Sequence, residues 1–313
     1  MAPSPLQLSV AVFAHNEAGT VADCIASIAD ARTRAVEVAE VIVVSSGSTD
    51  DTDARVRAAI ADLPHMRLVQ EATKRGKASA INSFLREARY GHCVFTNADT
   101  ILHEDALEHL CAPLRDPQIG MTGGHPIPVM PGRDVVARSI EVFWELHHEL
   151  CLLAPKMGEL VAFQRVFDVL EGPETGADED WIHSEILRAG LQARYVPEAI
   201  LYNRGPTLLR DFLAHRHRMA VQHRVLVARR GFAPASRNPH LLRAALANYL
   251  RKRPDRWSAV PAAAALEAIA RSWALVDHAW RGRTESHWRP LASSKGLTRA
   301  DIAAHRIARG GRD

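Results

Sequence analysis

Short apolar runs and helical stripes alternate along the first half of the chain. Leu8 to Ala14 reads as a buried strand. Val21, Cys24, Ile25 and Ile28 then recur at the three- and four-residue spacing of a helix face. Val41 to Val44 predicts a second strand, followed by a Gly/Ser turn and a helix carrying Val56, Ala59 and Ile60. Arg67 to Gln70 is a third, short strand. Ala78, Ile81, Leu85 and Ala88 make the next helical stripe, and Cys93 to Phe95 a fourth strand. Strand and helix in alternation predict an α/β layer fold with a largely parallel sheet.

The pattern then loosens. Gly120 to Gly132, rich in Gly and Pro, predicts an irregular crossing, and Ile140 to Leu153 a helix. Leu160 to Phe167 reads as a strand or its edge. Trp181 to Ala189 reads as a helix closed by Gly190, a natural residue just past a helix end. Tyr195 to Pro197 and Ala199 to Leu201 are the last strand segments, and beyond Pro206 the pattern is helical and basic. The division this predicts is a catalytic layer over residues 1–205 and a basic helical extension over 206–313.

Composition narrows the class. Of the 313 residues, 47% are hydrophobic and 24% charged, which excludes a disordered tail, a collagen, a disulfide scaffold and a polytopic membrane protein. Cys24, Cys93, Cys111 and Cys151 form no CxxC pair, so buried thiols in a reducing compartment are expected. No basic leader precedes the first strand, and no uncharged apolar run approaches the roughly 20 residues of a spanning helix. The expectation is a cytoplasmic protein, with peripheral attachment at the inner face of the membrane as its variant.

Charge divides the chain. Residues 1–203 carry 17 basic and 29 acidic side chains, whereas 204–313 carry 22 and 7. The basic part suits phosphates or an anionic membrane surface, or is a solvated face. It also holds Trp257, Trp273, Trp280 and Trp288. The helical stretch from Trp257 to Trp280 either rests on a membrane interface or packs back on the first domain. Basic charge without a binding motif argues against nucleic acid. His147, His148, His215, His217 and His223 read as surface or capping residues rather than metal ligands.

In an open α/β sheet, ligands bind beyond the carboxyl ends of the strands. Polar clusters fall there four times: His15-Asn16-Glu17, Ser45 to Asp51, Lys74 to Lys77, and Thr96 to Thr100. The turn around Gly47 lets backbone approach a ring or phosphate, but one glycine makes neither GxGxxG nor a P-loop. Asp50 either accepts from a base or ribose or caps a helix. Lys77 opens a helix where a cation is unfavourable, which a bound anion such as a diphosphate would offset. Asp99 ends a buried strand, where Mg²⁺ or Mn²⁺ would satisfy it, or it caps the following helix. Asp178, Glu179 and Asp180 are either helix N-terminal acids or a tuned general base.

In this order the motifs resemble those of family 2 glycosyltransferases of the GT-A fold. They are Ala14-His15-Asn16-Glu17, Gly47 to Thr52, Gly76-Lys77-Ala78 with Asn82, Asn97-Ala98-Asp99, Asp178-Glu179-Asp180 and Tyr195 to Ala199. The resemblance covers residues 6–225. It implies a Rossmann-type, mostly parallel sheet with flanking helices. It also implies inverting transfer of a sugar from a nucleotide-diphosphate donor to an acceptor hydroxyl on a saccharide, a lipid-linked acceptor or a small molecule. Ala14, Asn16, Glu17, Ser46, Asp50, Lys77, Asn97, Ala98, Arg216 and Arg218 would then line the donor site. Asp99 would hold Mn²⁺ or Mg²⁺. Asp180 would be the base, with Glu179 beside it.

Two departures stand out. The family's Asp-x-Asp begins here with Asn97, so one negative charge is missing. Its Gln-x-x-Arg-Trp has as its nearest match His215 to Met219, without the tryptophan. The competing expectations are a degenerate transferase domain that only binds, and a sugar nucleotidyltransferase. The latter's Gly-rich, Arg-containing loop is lacking after the first strand.

Overall fold

The computed structural model describes residues 4–171, 177–281 and 292–308. Its first half follows the periodicity closely. β1 (Leu6–Ala14), α1 (Val21–Ala29), β2 (Val36–Ser46), α2 (Thr52–Ala59), β3 (Met66–Glu71), α3 (Lys77–Glu87) and β4 (His92–Asn97) alternate. The four strands pair in parallel in the order β3-β2-β1-β4. β1 and β2 bury both faces, as strands of a parallel layer should. Val10 and Val12 meet Ile25 and Ile28 of α1 on one side, while Ala11 and Phe13 meet Ile81 and Phe84 of α3 on the other.

The second half makes the sheet mixed. β5 (Ile101–Leu102), α4 (Ala106–Cys111), β6 (Ile119–Pro128), α5 (Val135–Leu153), β7 (Val161–Gln164), α6 (Asp178–Arg188) and β8 (Gln192–Asn203) follow. The full order is β3-β2-β1-β4-β7-β6-β8-β5. β7 runs antiparallel to both β4 and β6, and β5 antiparallel to β8, whereas β6 and β8 are parallel. The expected irregular crossing is therefore largely strand β6. Its glycines disguise it because they serve close packing. A Cβ on Gly124 would lie 2.6 Å from the Ala199 carbonyl, and one on Gly123 2.5 Å from Met157 Sδ. The β6–β8 register shifts between Gly123 and His125, as at a bulge.

α6 begins at Asp178, three residues before the expected start, so all three acids form its first turn. There they complement the helix dipole. Gly190 follows the helix at φ 77°. The four cysteines are free and buried.

The basic region forms α7 (Leu209–Arg230), α8 (Pro239–Lys252), α9 (Val260–Arg281) and α10 (Arg299–Ala308). It packs back on the sheet domain. Phe212 of α7 meets Val136 and Ile140 of α5, and Tyr249 of α8 meets Val142. Leu297 and Ile302 bury against Ile101, Ile127, Val129 and Tyr202. Among the described residues one helix, Pro254–Asp277, is long and apolar enough by length and composition to cross a membrane. The charges that interrupt it lie partly on its inner side, where Glu267 pairs with Arg216. Trp288 and the Trp280 side chain lie outside the described residues.

Candidate active site

The carboxyl ends of β1, β2 and β4 meet where the strand order reverses direction, the place an α/β sheet offers a ligand. The loop after β1 turns sharply, with Asn16 at φ 55°. That conformation is uncommon without glycine and is held from the β2 loop. The Asn16 amide donates to Ser48 Oγ at 3.1 Å, and its Oδ1 accepts from the Thr49 amide at 2.7 Å. His15 Nδ1 lies 2.7 Å from the Ser46 carbonyl. The Ser46 hydroxyl itself donates to Glu71. Gly47 at φ 60° allows the turn: a Cβ there would stand 2.6 Å from the Lys74 backbone nitrogen.

Asp50 is exposed at the rim of this loop pair. It accepts from the Ala18 and Thr52 amides at 3.3 and 3.0 Å. Partial burial works against its charge, but these bonds and the Thr52 hydroxyl hold the carboxyl below its ordinary range. Asp50 thus acts as the local turn cap while staying within reach of a ligand.

Deeper in the cleft, Asn97 Nδ2 donates to Glu159 Oε2 at 2.6 Å. Glu159 was not flagged by the sequence; it precedes β7 and belongs to no motif. Burial first, then the negative charge of Asp99, pushes its carboxyl up to about 7. Burial and Glu17 push Asp99 up to about 6. Glu17 is raised too, by burial, although Lys295 opposes the shift. The Ala98 amide donates to the Phe13 carbonyl at 2.9 Å, tying this loop to β1. Among the described residues no three His, Cys, Asp or Glu side chains converge as a metal cage. Hard cations at phosphate sites need only one or two carboxylates beside the phosphates themselves, and Asp99, with the Asn97 carbonyl oxygen, fits such a donor set.

Lys77 has its compensating anion inside the protein. Its Nζ lies 2.9 Å from Glu179 Oε1 and 4.0 Å from Asp178 Oδ2, over the Phe95 ring. Burial opposes the charge, but those two carboxylates raise the ammonium's pKa. The pair joins the start of α3 to the start of α6. Asp178 is pushed up to about 6 by burial, against the pull of Lys77.

Asp180 is nearly inaccessible yet ionised. Burial alone would raise it, but Lys156 at 3.7 Å and His223 at 3.3 Å hold it at about 2. Its Oδ2 faces the Lys156 ammonium and the His223 ring, while Oδ1 is buried and accepts no hydrogen bond among the described residues. Neither Lys156 nor His223 carries a motif; only the fold brings them here. Arg218 Nη2 lies 3.0 Å from His215 Nδ1. Burial lowers this guanidinium to about 10 against the charge of Glu159, which puts Arg218 near the acidic cluster. Arg216 is committed elsewhere, in a two-bond pair with Glu267 of α9 at 2.7 and 3.0 Å.

Residues 9–161 match the family model described as glycosyl transferase family 2. A poly-β-1,6-N-acetyl-D-glucosamine synthase of Staphylococcus aureus is 29% identical over 113 residues, 36% of this chain and 26% of that protein. Its Staphylococcus epidermidis counterpart is 27% identical over 38% of this chain and 28% of its own. The chain thus spans about a quarter of the length of these curated relatives. Among solved structures, a mannosyltransferase from Pyrobaculum calidifontis in complex with GDP-Man and Mn²⁺ is 26% identical, covering 90% of this chain and 89% of that one, with TM-score 0.61. A glucosyl-3-phosphoglycerate synthase from Mycobacterium tuberculosis, with Mn²⁺ and UDP, shares the fold at 24% identity and TM-score 0.50, over 72% and 81% of the two chains.

Proposed function

We propose that this chain, whose residues 9–161 match the family model of glycosyl transferase family 2, is a glycosyltransferase that transfers a sugar with inversion from a nucleoside-diphosphate donor to an acceptor hydroxyl. The orphaned Oδ1 of Asp180 carries this reading. A buried acceptor without a donor is costly, and an incoming hydroxyl would satisfy it. The nucleotide lies along Ala14 to Glu17 and Ser46 to Asp50, with Asp50 facing the base. Asn97, Ala98 and Arg218 border the diphosphate. Asp99, with the Asn97 carbonyl, would hold a divalent cation, which would supply charge neutralisation of the leaving diphosphate.

Asp180 takes the hydroxyl proton as the oxygen attacks the anomeric carbon from the face opposite the diphosphate. The new carbon–oxygen bond forms as the bond to phosphate breaks, and nucleoside diphosphate leaves. Lys77 and Glu179 lock the two helix starts that frame this displacement. Arg216 supports the site only by fastening α7 to α9. The exposed apolar strip of α9 and the basic region around it suit a membrane surface and a lipid-linked acceptor.

The donor reading is tested by thermal shift with UDP, GDP, dTDP and CDP, with and without Mn²⁺, on wild type and Asp99→Ala. A ligand at 100 times its Kd stabilises by about 2.7 kcal/mol. One nucleotide should raise the melting temperature in a Mn²⁺-dependent way that Asp99→Ala abolishes. No shift with any of the four refutes the donor site. Turnover releasing pyrophosphate would instead identify a nucleotidyltransferase.

A further inference from the structure

The loop assigned to the donor nucleotide is held from the far end of the chain. Lys295 Nζ lies 2.7 Å from Glu17 Oε1 and donates to the carbonyls of His15, at 3.2 Å, and Asn16. The ammonium therefore ties together three successive residues, including the one in the left-handed conformation. The β2 loop holds the Asn16 amide and side chain; Lys295 holds its carbonyl. Its reach comes from an independently anchored segment. Ser293 Oγ bonds Asp211 Oδ2 at 2.6 Å, Arg204 bonds the Gly296 carbonyl at 3.0 Å, and Leu297 is fully enclosed.

We propose that Lys295 is a positioning residue for the donor nucleotide: the 292–308 segment clasps the His15–Glu17 loop in its nucleotide-binding shape through this one ammonium. The inference rests on the donor-site reading above. A flexible loop would have to be ordered on binding, and a pre-ordered one spares that cost. Coupling is reciprocal, so bound nucleotide must in turn tighten the C-terminal segment.

The test uses the full chain and the nucleoside diphosphate selected by thermal shift, with Mn²⁺. Titration calorimetry should show Kd raised about tenfold in Lys295→Ala, with Lys295→Arg recovering to within about threefold of wild type. Hydrogen exchange in residues 292–308 should slow when nucleotide is added to wild type and respond less in Lys295→Ala. A merely structural lysine would lower the melting temperature without moving Kd or this protection. Should Lys295→Ala fail to fold, Leu297→Ala loosens the clasp from its buried side and should also raise Kd. Normal binding by wild type with unchanged Kd in the variants overturns the inference alone. No binding by wild type overturns the donor-site reading, and the inference with it.

Discussion

At the scale of single residues, the charges of the site are sorted by their partners. Asp180, beside Lys156 and His223, is held at about 2, while burial and neighbouring carboxylates raise Asp99 and Glu159 despite the opposing charge of Lys77. A carboxylate so stabilised is a weak base in the free protein. It accepts a proton only as bond formation makes the hydroxyl acidic, so the acid limb of activity belongs to another group. Asp180→Asn keeps the shape and removes the proton acceptor. It should lower kcat about 10²–10⁴-fold while leaving the Kd for nucleoside diphosphate unchanged. A kcat within tenfold of wild type would remove Asp180 from the base role. The acids themselves were legible as motif positions. Lys156, His223, Glu159 and Lys295 were not, because each arrives from an element with no local signal and gains meaning only through distance.

At the scale of elements, periodicity identified β1 to β4 and their helices because parallel strands bury both faces and read as continuous apolar runs. It failed at β6, where Gly123 and Gly124 lower strand propensity to admit Met157 and Ala199. It also missed the first turn of α6, whose acids look like a loop until their helix dipole and Lys77 are considered. Arg216, which family spacing aims at a diphosphate, pairs with Glu267 in this fold. Burial would raise Glu267, yet Arg216 and Arg271 hold it at about 2, below its unperturbed 4.5. A depressed carboxylate contributes stability above its unfolded pKa and loses it as pH falls through the folded one. Glu267→Gln should therefore destabilise by up to about 3 kcal/mol at pH 7, a gap that closes between pH 4.5 and 2. Urea unfolding of both proteins at stepped pH measures this. A gap independent of pH would mean that the pair contributes through shape alone.

At the scale of the whole molecule, the basic region of 206–313 packs back on the sheet domain and reaches the candidate site. Its inner surface supplies Arg218 and His223 from α7 and Lys295 from the returning segment. Its outer surface is different in kind. On α9, Ala263, Ala270 and Ala274 face inward, while Ile269, Trp273, Leu275 and Val276 are about half exposed. Such a strip is expensive in water, and tryptophan and arginine beside it favour a bilayer interface. On the proposed reading, a donor bound in the cleft would meet an acceptor presented from a membrane. Anionic vesicles should accordingly bind the protein more tightly than neutral ones, through about 1 kcal/mol for each basic side chain near the surface. Rising salt should weaken this binding, leaving the apolar contribution behind. Ile269→Glu and Leu275→Glu place charge in the strip away from the site, so they should abolish sedimentation with phosphatidylglycerol vesicles and preserve nucleotide binding. If wild type ignores both kinds of vesicle while binding nucleotide normally, the strip does not serve a lipid surface and the acceptor comes from solution.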